Sequence, residues 1–508
     1  MELNWDTYDL VCEQVKQCLL PELDRDIGDE PLAKEDFSMF RYGLEMNLQL
    51  LFDIVAKNER LLLESFEGKD NTFRVNFMLL IHQQSGYDEA PFQTDSRSIS
   101  KQIRFLIDKY YKKIISETII QTDCSKYYKE RLTADKWKRN IGAVYGFLQM
   151  NNLHQTLIQT KFKTDDCLFM LSVGMNLTDY FEPSYKKFGL IIFNILIDYG
   201  DPVELQKLNI YRVVFEKLIK TLIKIITDES GTVLILSCAY KCIETFDGWR
   251  TPVKWNEVDD ALEEVMKRIP FEVDNRCTAI LFMFVCRVTT LPMEKSRIFS
   301  KLTDVTNLDY VIETAKKSAE DKREIFNELR NIFSSHHNLL IARWLRRLVK
   351  IFQDRDIIGK AEEIRFMLFI MHILYICAFY GSPWFMGMKW NDLLHEFVCN
   401  LMKLVANNFN REMFIEEIYA ILDTLKLHLE IAERTPDFFK DEHEEQVTNF
   451  IESIHKIIPE LEQYCVRKKN EDEEERLSRK SELSLEVSKT LEDPKTSEDP
   501  NMPEEESN

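Results

Sequence analysis

The sequence has few of the residues that form tight turns. Glycine and proline occur 14 times each in 508 residues, about 3% apiece, compared with a usual ~7% and ~5%. A β-sandwich or β-barrel needs many short turns, and nucleotide-binding enzymes need glycine-rich loops. The composition therefore argues against an all-β fold and against an α/β enzyme built on such loops.

The sequence also has no excess of positive charge. Its 66 Lys and Arg residues are outnumbered by 86 Asp and Glu residues, so the net charge is −20. Nucleic acids and anionic membranes are bound through clustered cations, and we therefore expect neither as a partner. Residues 1–6 are acidic and contain no basic segment followed by an apolar run. We expect no signal peptide and a cytoplasmic and nuclear location.

Sequence motifs for cofactors and metals are missing. The glycines form no G-x-G pair, the nine histidines no H-E-x-x-H motif, and the eleven cysteines no C-x-x-C motif. These are the spacings that place ligands around a phosphate or a zinc ion. Cys238 and Cys242 lie one helical turn apart, and we expect both to be buried core residues. The sequence predicts a chain that is not an enzyme and that uses no cofactor or metal.

One acidic motif keeps an enzyme as an alternative. The run Asp259-Asp260-Ala261-Leu262-Glu263 has the D-D-x-x-E spacing with which all-α terpenoid synthases hold magnesium. A second motif of such enzymes fails here, because His395 and Cys399 follow Asn391-Asp392 where a hydroxyl and a glutamate are needed. The other interpretation is that the acidic residues lie at a helix N-terminus, where the helix dipole stabilises them.

Apolar residues recur at spacings of three and four along most of the chain, which is typical of amphipathic helices. From residue 165 the predicted helices are 165–176, 184–199, 203–227, 231–246, 256–268, 274–290, 308–317, 320–334, 336–353, 360–380, 390–408, 411–433 and 441–464. Short breaks that contain Gly, Pro or Asp separate many of them. Repeated helices of this kind predict an all-α fold, a HEAT- or armadillo-like α-solenoid of antiparallel helix pairs.

The same pattern divides the chain into three parts. We expect divergent helical repeats over 1–130, HEAT-like repeats over 131–464 and a disordered acidic tail over 465–508. The tail contains no aromatic residue, so burial cannot offset the entropy lost on ordering it. The run 366–380 is apolar on all sides and is followed by Gly381-Ser382-Pro383, which favours a buried core helix over a membrane span.

Two clusters of aromatic and basic residues are candidates for partner binding. They comprise Arg343, Trp344, Arg346 and Arg347 on the predicted helix 336–353, and Trp384, Phe385 and Trp390 in and beside a predicted loop. Tryptophan and arginine are enriched at binding hot spots. The alternatives are a charged, solvent-exposed helix face for the first cluster and core packing for the second.

Five segments between residues 130 and 390 resemble those of a known family. They are Leu132–Lys138, Met175–Leu190, Val203–Lys224, Ser335–Phe352 and Tyr380–Trp384. Each is similar to a helix or helix edge of the Tel2-interacting protein two family, the smallest subunit of the Triple T (TTT) co-chaperone complex. The resemblance includes the aromatic and acidic turn before a "K-x-x-G" helix start, and the basic-aliphatic run of the fourth segment.

The resemblance implies a non-catalytic scaffold. Members of the family work with two larger helical-repeat subunits, Tel2 and Tel2-interacting protein one. Together they help newly made phosphatidylinositol-3-kinase-related kinases (mTOR, ATM and ATR type) to mature, with Hsp90 and RuvB-like ATPase co-chaperones as indirect partners. The other binding function that we consider is a HEAT-repeat transport or trafficking adaptor for basic cargo.

Overall fold

The computed structural model describes residues 5–28, 32–64, 71–86, 90–158, 161–224, 228–246, 256–289, 297–317 and 319–334, together with scattered positions between 347 and 481. Within these ranges the chain is helical and has no β-strand; one isolated bridge joins Phe162 and Gly200. The all-α prediction is therefore confirmed for the described part of the chain.

Eighteen helices are assigned in the described ranges, joined by short 3-10 turns and loops. The helices are α1 (Trp5–Cys18), α2 (Ser38–Lys57), α3 (Arg60–Leu63), α4 (Thr72–Ser85), α5 (Arg97–Leu106), α6 (Lys112–Ile115), α7 (Thr118–Leu132), α8 (Ile141–Leu157), α9 (Thr164–Asp179), α10 (Pro183–Tyr199), α11 (Pro202–Lys207), α12 (Ile210–Lys224), α13 (Glu229–Thr245), α14 (Glu257–Arg268), α15 (Asn275–Thr289), α16 (Arg297–Leu302), α17 (Leu308–Ala315) and α18 (Ala319–Ser334). A π-helical turn, Ile107–Tyr111, joins α5 to α6.

The chain forms two compact units, Met1–Arg268 and Ile269–Asn508. In the first unit α10 lies against α8, α9 and α13, while α12 lies against α9, α13 and α14. In the second unit α16 packs against α17 and α18. Long-range helix packing thus builds the apolar core of each unit, as expected for helices that carry one apolar face.

Two helices of the first unit, α10 and α11, start with an acidic cap followed by proline. Glu182 accepts the Tyr185 N–H at 3.2 Å ahead of α10, and Asp201 accepts the Val203 N–H at 2.9 Å ahead of α11. Proline occupies the first helical position in both cases, where its missing N–H costs nothing. The predicted breaks at 179–183 and 200–202 are confirmed.

Two predicted helix limits are wrong. The predicted helix 203–227 is interrupted, because α11 ends at Lys207 and α12 begins at Ile210. Asn209 has a φ of 57°, a left-handed conformation that asparagine tolerates better than most residues. The apolar pattern also predicts two separate helices around 135–149 and 152–161, whereas α8 runs without a break from Ile141 to Leu157.

Parts of two segments near the C-terminus are described, the apolar run 366–380 and the charged segment 466–481. The described residues of the run 366–380 are buried, namely Phe366, Phe369, Ile370, His372, Ile373, Leu374 and Ile376, and no helix in the described ranges is long and apolar enough to cross a membrane. The described positions between 466 and 481 are helical. Glu, Lys and Arg dominate that segment, and their high helix propensity favours a helix there.

Candidate functional site

The partner-binding residues predicted from the sequence fall almost entirely outside the described residues. Arg343, Trp344, Arg346, Trp384, Phe385 and Trp390 lie outside them. Arg347 is described, is helical and has an exposed side chain. Both clusters therefore stay predictions.

The acidic motif at 259–263 lies at the start of α14. This position agrees with the alternative interpretation, in which the acidic residues lie at a helix N-terminus. The Asn256 backbone N–H donates to the Asp259 carboxylate at 2.9 Å, and Asn256 Oδ1 accepts the Val258 N–H at 2.8 Å. This reciprocal pair is a capping box, which satisfies N–H groups that have no partner within the helix. Among the described residues no group of three or more His, Cys, Asp or Glu is placed to hold a metal ion.

Cys238 and Cys242 are core residues, as predicted. Both are fully buried on α13. Burial, followed by a hydrogen bond with Cys238, raises the pKa of the Cys242 thiol well above its usual range. A thiol held in its protonated form is a poor nucleophile and a poor metal ligand.

Two segments that are far apart in the sequence, 132–138 and 175–190, meet in space. Trp137 is buried, and its ring centroid lies 5.0 Å from that of Tyr180 and 5.5 Å from that of Tyr185. The Tyr180 hydroxyl in turn donates to the backbone carbonyls of Ile27 and Gly28, at 3.1 and 3.0 Å. Aromatic packing and these hydrogen bonds fix the turn between α9 and α10.

Two glycines bring α10 unusually close to α9. A Cβ atom at Gly174 would lie 2.5 Å from the Phe193 ring, and one at Gly189 would lie 2.8 Å from the Gly174 carbonyl oxygen. A larger residue at Gly174 would displace the Phe193 ring, and one at Gly189 would press against the backbone of α9. Gly189 is the glycine of the "K-x-x-G" helix start, so the structure gives that motif a packing role.

A surface groove opens between the end of α9, the first turns of α10 and the middle of α12. Its volume is about 510 Å³. Its lining residues are Met175, Thr178, Asp179, Lys186, Val213, Glu216, Lys217, Lys220 and Thr221. All nine come from the segments 175–190 and 203–224.

Charged side chains dominate the rim of this groove. Lys217 on α12 forms an ion pair with Asp179 at the end of α9. Glu216 pairs with Arg212 at 3.2 Å and, more distantly, with Lys220 at 3.9 Å. The lining holds three lysines and two carboxylates, so it is locally positive on a chain whose net charge is −20.

The polar groups within the groove are otherwise used by the helices themselves. The Thr178 hydroxyl donates to the Gly174 carbonyl at 2.8 Å, and the Thr221 hydroxyl donates to the Lys217 carbonyl at 2.8 Å. What remains for a ligand is apolar surface from Met175 and Val213 bordered by lysine ammonium groups. Such a surface can bind a protein segment and has no nucleophile paired with a base, as bond-making catalysis would need.

The sequence predicts the buried and exposed faces of α12 but does not predict the groove. Val214, Leu218 and Leu222 are buried, as the apolar stripe of α12 predicts, while Glu216 and Lys220 are exposed. The exposed face of α12 lines a groove only because the end of α9 lies beside it.

The chain matches no protein-family model, no curated protein and no solved structure.

Proposed function

We propose that this chain is a non-catalytic scaffold subunit of a TTT-type co-chaperone complex. In this proposal the chain is an α-solenoid of antiparallel helix pairs that holds two larger helical-repeat subunits, of the Tel2 and Tel2-interacting protein one types. The assembly stabilises newly made phosphatidylinositol-3-kinase-related kinases in the cytoplasm and nucleus. ATP hydrolysis is left to Hsp90 and the RuvB-like ATPases.

The observation that carries the proposal is the convergence of the family-like segments. Segments 132–138 and 175–190 pack through Trp137, Tyr180 and Tyr185, and segments 175–190 and 203–224 line one groove. A groove with apolar patches and a charged rim suits a protein partner. The all-helical architecture of the described residues is the one that a repeat scaffold requires.

A charge reversal in the groove tests the proposal in the full-length chain. We expect Lys186→Glu combined with Lys220→Glu to reduce recovery of the two partner subunits, and the cellular level of the kinases, several-fold. Lys207→Glu on α11 is the matched control, because Lys207 is an exposed lysine that does not line the groove. Affinity purification of the tagged chain at moderate salt, followed by quantitative mass spectrometry, measures recovery.

The result also separates the alternatives. Near-equal amounts of two large helical-repeat subunits with the unmodified chain support the scaffold. Basic cargo or a small GTPase in their place would support the trafficking adaptor instead. Magnesium-dependent turnover of a diphosphate that is lost in Asp259→Asn with Asp260→Asn would support the terpenoid synthase.

A further inference from the structure

Helix α2 has two apolar faces, of which only one is covered. Leu44, Leu48, Leu51 and Val55 are buried, where α2 packs against α1 and α5. The opposite face carries Met39, Tyr42, Met46 and Leu50, which are 51% to 85% exposed. A helix that is apolar on both sides is normally covered on both sides.

The exposed residues form one continuous stripe, which we call the α2 stripe (Met39, Tyr42, Met46 and Leu50). Their spacings of three, four and four place them on one side of the helix. From first to last they extend along about 17 Å of the helix axis. Methionine is common on surfaces that accept helices, because its unbranched side chain adapts to the partner. The length and shape of the α2 stripe match the apolar face of one amphipathic helix.

Gly43 lies beside the α2 stripe and has no packing role within the first unit. A Cβ atom at this position would have no heavy atom within 4 Å. A glycine in the middle of a helix lowers its stability by about 1 kcal/mol relative to alanine. A small residue next to large apolar ones lets another helix backbone approach closely.

One edge of the α2 stripe is acidic. Glu45 accepts the Thr94 hydroxyl at 2.9 Å, and Asp53 accepts the Gln49 amide at 3.3 Å. Neither carboxylate forms an ion pair with another residue of the described ranges. The nearby Arg41 instead donates to Asp95 and to the Gln93 carbonyl.

These observations select the partner. We propose that the α2 stripe is a docking surface for an amphipathic helix of another protein, with an apolar face packed around Gly43 and lysine or arginine along the edge that meets Glu45 and Asp53. A second copy of this chain would set two acidic edges against each other, which disfavours self-association. The proposal does not depend on the TTT assignment, because α2 lines no part of the groove.

A peptide of defined chemistry tests the surface on the full-length protein. The probe is a fluorescein-labelled 18-residue peptide of leucine and lysine, with leucines at helical spacing, and its counterpart carries glutamate for lysine. We expect the lysine peptide to bind at least tenfold more tightly than the glutamate peptide by fluorescence anisotropy. Met39→Ser with Met46→Ser should weaken that binding at least tenfold.

A matched control separates a docking surface from general attraction to an acidic protein. Phe271→Ser with Val273→Ser removes apolar residues that are 84% and 91% exposed in the second unit, and we expect it to leave binding unchanged. Equal losses in the two double variants, or no loss in either, would overturn the proposal.

Two further variants test the geometry. Gly43→Leu should weaken binding of the lysine peptide at least fivefold although it improves helix propensity, and Glu45→Lys with Asp53→Lys should transfer the preference to the glutamate peptide. Unchanged binding by Gly43→Leu would overturn the close helix approach. A dimer in sedimentation equilibrium that Met39→Ser with Met46→Ser dissociates would identify a second copy as the occupant and would overturn the choice of partner.

Discussion

The hydroxyl of Tyr111 lies 2.8 Å from Nε2 of His82. On the other side of the imidazole, the Tyr128 hydroxyl lies 3.0 Å from Nδ1. The ring is fully buried, and burial lowers the pKa of His82 to about 3. A neutral imidazole has one donor and one acceptor nitrogen, so one tyrosine hydroxyl accepts a hydrogen bond from the ring N–H and the other donates a hydrogen bond to the second ring nitrogen. This contact joins α4, the π-helical turn and α7.

The buried histidine predicts acid sensitivity. Because the pKa of His82 is lower in the folded chain than the ordinary 6.5, the unfolded chain binds the proton more tightly. The contribution of the neutral His82 to the free energy of unfolding is complete above about pH 6.5 and is lost as the pH falls toward 3. Between pH 7 and pH 5 the free energy of unfolding should fall by about 2 kcal/mol. Urea unfolding at both pH values measures the loss. His82→Gln should shrink this difference, while His455→Gln, at an exposed position, should preserve it.

Gly146 leaves room for one of the two tyrosines. A Cβ atom at this position would lie 2.8 Å from the Tyr128 hydroxyl oxygen. We expect Gly146→Ala to displace that hydroxyl from His82 and to lower the free energy of unfolding by about 2 kcal/mol. Gly43→Ala is the control, since open space surrounds it and it should raise stability by up to ~1 kcal/mol. Equal thermal shifts of the two variants would contradict this explanation.

The buried Arg74 depends on one carboxylate. Its guanidinium donates to both carboxylate oxygens of Glu117 and to the Leu62 carbonyl. Glu117→Ala would leave a buried cation without its counter-charge, and we expect a loss of about 3 kcal/mol in urea unfolding. Glu64→Ala, which breaks the exposed pair with Arg60, should leave the free energy of unfolding nearly unchanged, because solvent screens an exposed ion pair. Similar losses of unfolding free energy in the two variants would show that the burial of Arg74 does not explain the effect of Glu117→Ala.

Because α9 and α10 approach closely at Gly189, we expect a substitution there to reduce both the stability of the chain and its binding to partners. Gly189→Ala would press a methyl group against the Gly174 carbonyl and Thr178, and we expect a loss of about 3 kcal/mol. Because α9 and α10 both line the groove, recovery of partner subunits should fall as well. Ser172→Ala on the exposed face of α9 is the control. Normal thermal unfolding of Gly189→Ala would refute the packing role.

The sequence predicted the helices well where a chemical signal marked their ends. In each of the acid-proline pairs Glu182-Pro183 and Asp201-Pro202, the acid caps the helix that the proline starts. Such a signal is local, so it can be recognised in the sequence. The break at Asn209 had no such signal, because asparagine also occurs inside helices. The π-helical turn that carries Tyr111 also has no local signal in the sequence, because Tyr111 contacts His82 on another helix.

The groove could not be predicted from periodicity. Each helix face can be read from its own residues, but the Lys217–Asp179 pair joins faces 38 residues apart. The packing of α9 against both α10 and α12 makes these faces neighbours. The exposure of the α2 stripe could not be predicted for a different reason. Both apolar faces of α2 have helical spacing, and the sequence does not indicate which of them other helices cover.

The hydrogen bond from Tyr180 to Ile27 spans 153 residues of chain, and this separation has a consequence for synthesis. Ribosomes add roughly 5–20 residues per second, so about 8–30 s pass between the synthesis of the two partners. The backbone of Leu23 and Ile27 is held by the carbonyls of Arg139 and Lys138, which also come late. Residues 23–28 of the nascent chain therefore lack these partners during that interval, and a chaperone at the ribosome could bind them.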